Sequence, residues 1–161
     1  MEIREQPMSR YAGFDGTPDN IIREALAILE ARLITAEFNV SKPEDAKAFL
    51  TIKLASLESE VFACLWLNNK HKVLAYSELF RGTIDGASVH PREVAKDGLR
   101  HNAAAVIFAH NHPSGEPEPS RADIQLTRRL VDSMGLIDIK VLDHMVIGGM
   151  DIISFAERGL I

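Results

Sequence analysis

The sequence predicts one α/β domain, a mixed sheet flanked by helices, with a helical extension at its N-terminal end. Three observations lead there. A chain of 161 residues suits a single core. The apolar spacing changes along it: steps of three and four up to Leu57 give way to short unbroken apolar runs from Val61 onward. Helix-start signals then recur between those runs, so helices and strands interleave.

Residues 1–17 are polar, hold Gly13 and Gly16, and show no period, so a loose leader is expected. Pro18 after Thr17 suits the first position of a helix, and Ile22, Leu26, Leu29 and Leu33 line one face of it. Residues 1–40 are read as leader plus amphipathic helix, and 41–161 as the main domain. Ser41 with Glu44 three residues on forms a capping box; Phe49, Leu50, Leu54 and Leu57 supply that helix's apolar face. Val61–Leu67 and Lys72–Phe80, split by the turn-rich Asn68-Asn69-Lys70-His71, predict a β-hairpin. Gly82 and Gly86 interrupt the stretch between this hairpin and Pro91. Pro91 opens a helix ending near Asn102, and Ala103–Ala109 is a small buried strand. Pro113, Gly115, Pro117 and Pro119 stiffen the next loop. Arg121–Met134 is a helix closed by Gly135. One or two strands over Ile137–Ile147, a Gly148-Gly149 turn and a short strand at Ile152-Ile153 complete the chain.

Charge and composition narrow the function classes. A net charge of -5 gives no global pull toward DNA or an anionic membrane. The single cysteine, Cys64, sits in an apolar run, where it cannot form an internal disulfide and is expected to be inert. No apolar stretch approaches the roughly 20 residues that span a bilayer, and MEIREQPMSR lacks the apolar core of a secretory signal. A cytoplasmic protein without a membrane partner is expected.

The chemistry concentrates in His110-Asn111-His112-Pro113, followed eleven residues after His112 by Asp123. Two histidines at i and i+2 at the end of an apolar strand project from one face, so their imidazoles can meet. With one carboxylate they make a three-ligand zinc set that leaves a position for water. Ser120 and Asp123 equally fit a capping box for the helix that begins there, and a hydroxyl can both cap and face a site. Such a centre needs a general base. Glu78, in the otherwise apolar strand Tyr76–Phe80, is the first choice, against the plain alternative of a solvent-facing glutamate. Glu93 is second, although in a first helical turn it complements the dipole. Glu116 and Glu118 lie in the loop.

Two other patterns fall away. His110-Asn111-His112 spells HNH, but those nucleases spread the residues over a longer motif. Zinc deaminases need a cysteine pair, and this chain has one cysteine. His144 reads as a core histidine or one steadying the ligands. His71, His90 and His101 show no partner pattern.

His110-Asn111-His112-Pro113-Ser114-Gly115 and Pro119-Ser120-Arg121-Ala122-Asp123 closely resemble the RadC-like branch of the JAB/MPN (JAMM) zinc metalloprotease superfamily. Leu79–Thr83, His90–Val94 and Asp143-His144 match as well, and the resemblance spans roughly residues 41–158. It implies a curved mixed sheet and one zinc per chain held by His110, His112 and Asp123. It also implies Glu78 as the acid/base on the catalytic water and Ser120 as oxyanion donor. The expected activity is cleavage of amide bonds in a peptide or protein substrate. Asn111 departs from the serine or threonine of the eukaryotic deubiquitinases but is shared by RadC-like members. Residues 1–40 lack the helix-hairpin-helix module of longer RadC-like proteins. A nucleic-acid-associated protein of DNA repair or recombination is therefore the alternative reading, supported by Arg121, Arg128 and Arg129, with DNA the less favoured partner. A scaffold without activity is a third, opposed by the complete ligand set.

Overall fold

The computed structural model describes residues 17–34, 40, 42–82 and 89–161, without the side chains of residues 29, 30 and 32–34. The expected leader up to residue 16, Ser41, Gly86, and the side chains of Leu29 and Leu33 lie outside the described residues. Along the chain the elements are α1 (Pro18–Ile34), α2 (Pro43–Leu54), β1 (Val61–Leu67), β2 (Val73–Arg81), α3 (Pro91–Arg100), β3 (Ala105–Asn111), α4 (Arg121–Gly135), β4 (Lys140–Gly148) and β5 (Asp151–Ser154). The sheet runs β2-β1-β3-β4-β5. The β3–β4 pair is parallel and the other three are antiparallel, so the sheet is mixed as expected.

Strands β1 and β3 are buried along their whole length. Their alternate residues feed two cores. On one face Ala46, Phe49, Leu50 and Leu54 of α2 cover Ala63, Leu65, Leu67, Ile107 and Ala109. On the other, Val94 of α3 and Leu130 and Met134 of α4 cover Phe62, Cys64, Trp66, Val106 and Phe108. A strand covered on both faces reads as an unbroken apolar run, which is the pattern the sequence shows. Helix α3 lies close on the sheet: a Cβ added to Gly98 would stand 2.9 Å from Trp66 and from Ile139. The Trp66 indole N–H is answered by Asp97 Oδ2 at 2.7 Å.

Three local expectations need correcting. The N-cap of α2 is Lys42, whose N–H is accepted by Asp45 at 3.2 Å. The start signal is thus shifted by one residue from the Ser41–Glu44 pair. Gly135 ends α4 but supplies no left-handed turn; the chain continues through Leu136 in helical geometry, and the positive φ (58°) falls on Asp138. In α1, Ile22 is 41 % exposed instead of contributing to a buried face. No helix among the described residues is long and apolar enough to cross a membrane.

Candidate metal centre

Strand parity decides which side chains meet. On β3, Val106, Phe108 and His110 point toward α4, and Ala105, Ile107, Ala109 and Asn111 point toward α2. His110 is registered with Phe62 on β1. Two residues before Phe62, on the same face, stands Glu60. Ligand atoms of Glu60, His110 and His112 lie within 4.8 Å of one another.

The fourth group arrives from α4. Ser120 is the N-cap: its Oγ accepts the Asp123 N–H at 3.1 Å, and Asp123 Oδ2 accepts the Ser120 N–H at 2.7 Å. This capping box turns the Asp123 carboxylate inward. Oδ1 stands 3.5 Å from His110 Nε2 and Oδ2 3.6 Å from His112 Nε2. Burial by itself raises the Asp123 carboxyl, but the His110 ring and the bonds from Ser120 outweigh it and hold the group well below the usual carboxylate range. Its Oδ1 is buried and has no hydrogen bond among the described residues.

The imidazoles are held from behind. His112 donates its backbone N–H to Ile147 O at 2.8 Å, and its Nδ1 bonds the Glu116 carbonyl at 2.7 Å. His110 Nδ1 lies 2.8 Å from His144 Nε2. The two Nε2 atoms face each other at 3.0 Å. Asn111, on the opposite face, accepts the Val61 N–H at 2.8 Å and donates to Ser59 O at 3.0 Å and Leu57 O at 3.3 Å. It thereby pins the segment that carries Glu60.

Glu78 does not join this group. It is registered with Ala63, on the α2 face, whereas His110 is on the α4 face. There it accepts from the Tyr76 hydroxyl at 3.2 Å and pairs with Arg81. Burial, and then the charge of Glu78, push the Tyr76 phenol up. Glu93 is on the surface of α3, paired with Lys96 and Arg92. Glu118 pairs with Arg158. Glu60 was the residue missed in the sequence. Its signal was the alternation Glu60, Phe62, Cys64, Trp66 leading into β1, hidden by the loop-like Ser56–Ser59 before it.

Beside the centre opens a cavity of about 270 Å³. Glu60, His110 and Asp123 form one wall, Phe62, Phe80, Val89 and Leu126 supply apolar surface, and Arg81, Gln125 and Arg129 stand around it. The site is therefore reachable by a ligand larger than water.

Comparison with known proteins gives the family. Residues 40–160 match the RadC-like JAB domain. This chain belongs to the RadC-like JAB family. RadC-like relatives include the UPF0758 protein of Marinobacter nauticus, 64% identical over 118 residues, which cover 73% of this chain and 53% of that protein. The UPF0758 protein of Vibrio cholerae is 54% identical over 139 residues, covering 86% of this chain and 87% of the relative. That of Cellvibrio japonicus is 53% identical across 99% of this chain and 72% of its own length. Against several relatives, those of Marinobacter and Thioalkalivibrio among them, the chain spans about half their length.

Proposed function

We propose that this chain is a zinc-dependent hydrolase that cleaves amide bonds, a metallopeptidase or isopeptidase acting on a peptide or protein. The observation that carries the reading is the convergence of His110 Nε2 and His112 Nε2 at 3.0 Å beside the Asp123 carboxylate. The donor set fits zinc: two imidazole nitrogens and a carboxylate are its usual catalytic ligands. A buried carboxylate oxygen without a hydrogen bond supports the fit, because such an atom is costly unless something positive answers it.

His110, His112 and Asp123 would hold the ion. Bound zinc supplies Lewis acidity toward a carbonyl and lowers the pKa of its water to about 7. Glu60, whose carboxylate lies near both imidazoles, would in place of Glu78 take a proton from the attacking water and return it to the leaving amine. Ser120 uses its oxygen to accept the Asp123 N–H, so its own hydroxyl proton is free to meet developing negative charge on the substrate oxygen. The apolar cavity wall would seat a substrate side chain.

Metal analysis tests this directly. Purified protein should carry about one zinc per chain, the occupancy expected of one three-ligand site, and His112→Ala should lose it. Equal metal in both would end the reading. A search for peptides with new termini after adding wild type but not Glu60→Gln protein would name the substrate.

Exposed Arg121, Arg128 and Arg129 on α4 favour a second reading, association with nucleic acid. It predicts tight duplex binding at physiological salt. The acidic net charge instead favours weak binding that falls steeply as salt rises.

A further inference from the structure

Behind His110 lies a chain of polar contacts that ends where it began, at a residue of the same centre. His110 Nδ1 meets His144 Nε2 at 2.8 Å, His144 Nδ1 meets Thr127 Oγ1 at 2.6 Å, and Thr127 Oγ1 meets the Asp123 backbone carbonyl at 2.6 Å. His144 and Thr127 are buried. The His144 ring stacks on Phe155 at 4.8 Å and meets the edges of Phe62 and Phe108.

The protons in this chain can be placed one by one. A carbonyl oxygen only accepts, so the 2.6 Å contact to Asp123 O requires the Thr127 hydroxyl proton. That hydroxyl has no second proton, so toward His144 it accepts, and His144 Nδ1 carries the N–H. A ligating imidazole binds through one nitrogen's lone pair and keeps its proton on the other. His110 turns Nε2 toward His112 and Asp123, so its Nδ1 carries the proton and donates to His144 Nε2. Independently, His112 Nδ1 donates to the Glu116 carbonyl. Both Nε2 lone pairs then point into the same space. At 3.0 Å they repel unless an electron-pair acceptor, a proton or a cation, lies with them.

We infer that Thr127 and His144 are positioning residues: a buried relay, anchored on the backbone of Asp123, that fixes which nitrogen of His110 faces the metal. This rests on the proposed zinc site. Which ring nitrogen binds is set by the bond the other one makes. Here one ligand residue's main chain orders another ligand's side chain. A purely structural role for His144 would require only that its two nitrogens be satisfied, in either proton order.

The test uses the full chain with ¹⁵N-labelled histidine, metal-free, in long-range proton–nitrogen correlation spectra. His144 is expected as the Nδ1–H tautomer with a pyridine-type Nε2, and His110 with its proton on Nδ1. Zinc affinity is then measured by competition with a chromophoric chelator. Thr127→Val keeps the side-chain shape and removes the hydroxyl; it should weaken zinc binding by about 10–100-fold, as loss of outer-shell partners does. Thr127→Ser should restore it. His144→Phe should weaken binding at least as much, and adding Thr127→Val to His144→Phe should cost nothing further. A wild-type His144 protonated on Nε2 would overturn the proposal. So would wild-type zinc affinity in folded Thr127→Val. If Thr127→Val does not fold, the wild-type tautomers and the Thr127→Ser affinity still decide. The stated tautomers without zinc binding by wild type would sink the metal reading and leave the relay's proton order standing.

Discussion

Asn111 Oδ1 accepts the backbone N–H of Val61 at 2.8 Å, so the residue between the two histidines holds the residue after Glu60. Its amide also donates to Ser59, on the other side of Glu60. One side chain thus ties the glutamate to the strand that carries both imidazoles. Asn111→Ala should strand a buried N–H and cost about 1–3 kcal/mol of stability, read by urea unfolding. Turnover should also fall as Glu60 drifts from the centre. Wild-type stability in this variant would mean that the tether is idle.

The two glutamates of the β1–β2 hairpin region separate cleanly by substitution. Glu60→Gln should keep its zinc, because three ligands remain, and lose turnover by about 10²–10⁴. Glu78→Gln removes only a surface contact with Arg81 and a bond to Tyr76. It should cost no more than about 1 kcal/mol and leave turnover unchanged. The reverse pattern of rates would return the role of base to Glu78.

Gly148 matters for what lies over it. A Cβ there would stand 2.5 Å from Pro117 N and 2.7 Å from the carbonyl carbon of Glu116. Glu116 is the residue whose carbonyl holds His112. Gly148→Ala should therefore cost about 1–3 kcal/mol by overpacking and weaken zinc binding through His112. Gly135, with nothing within 4 Å of an added Cβ, is the control. Gly135→Ala should be neutral or stabilising by up to about 1 kcal/mol, read from the melting temperature.

Cys64 is fully buried, and burial, then the charge of Asp97, push its thiol up. Alkylation needs the thiolate. Iodoacetamide at pH 8 should leave Cys64 intact in the folded protein and modify it in urea. Rapid native labelling, followed by mass spectrometry, would show that β1 opens far more readily than its burial suggests.

Most of the architecture was readable because each strand and helix announces itself locally. The Asn68–His71 turn, Pro91 and the Ser120–Asp123 cap all sit where the sequence placed them. The closeness of His110, His112 and Asp123 was readable for the same reason: they lie at one strand end and the next helix start. Glu60 was not, because choosing it over Glu78 requires counting parity across a hairpin. That count is broken by register shifts between Phe62 and Ala63 and between Trp66 and Leu67. The partnership of His144 with Thr127 was not readable either. It depends on β4 and α4 packing together, which no local pattern encodes.

The register that sets Phe62 opposite His110 has a kinetic consequence. The β1–β2 hairpin closes a short loop, whereas β1 can meet β3 only after a long stretch of chain, including α3, has been brought round. Non-local pairing of this kind is slow to form. Glu60 leads directly into β1 and His110 lies on β3, so the centre comes together only when the sheet does. Trp66, the only tryptophan, is paired with Val106 across the same seam. During refolding, recovery of turnover should therefore keep time with the burial of Trp66 and trail the appearance of the hairpin.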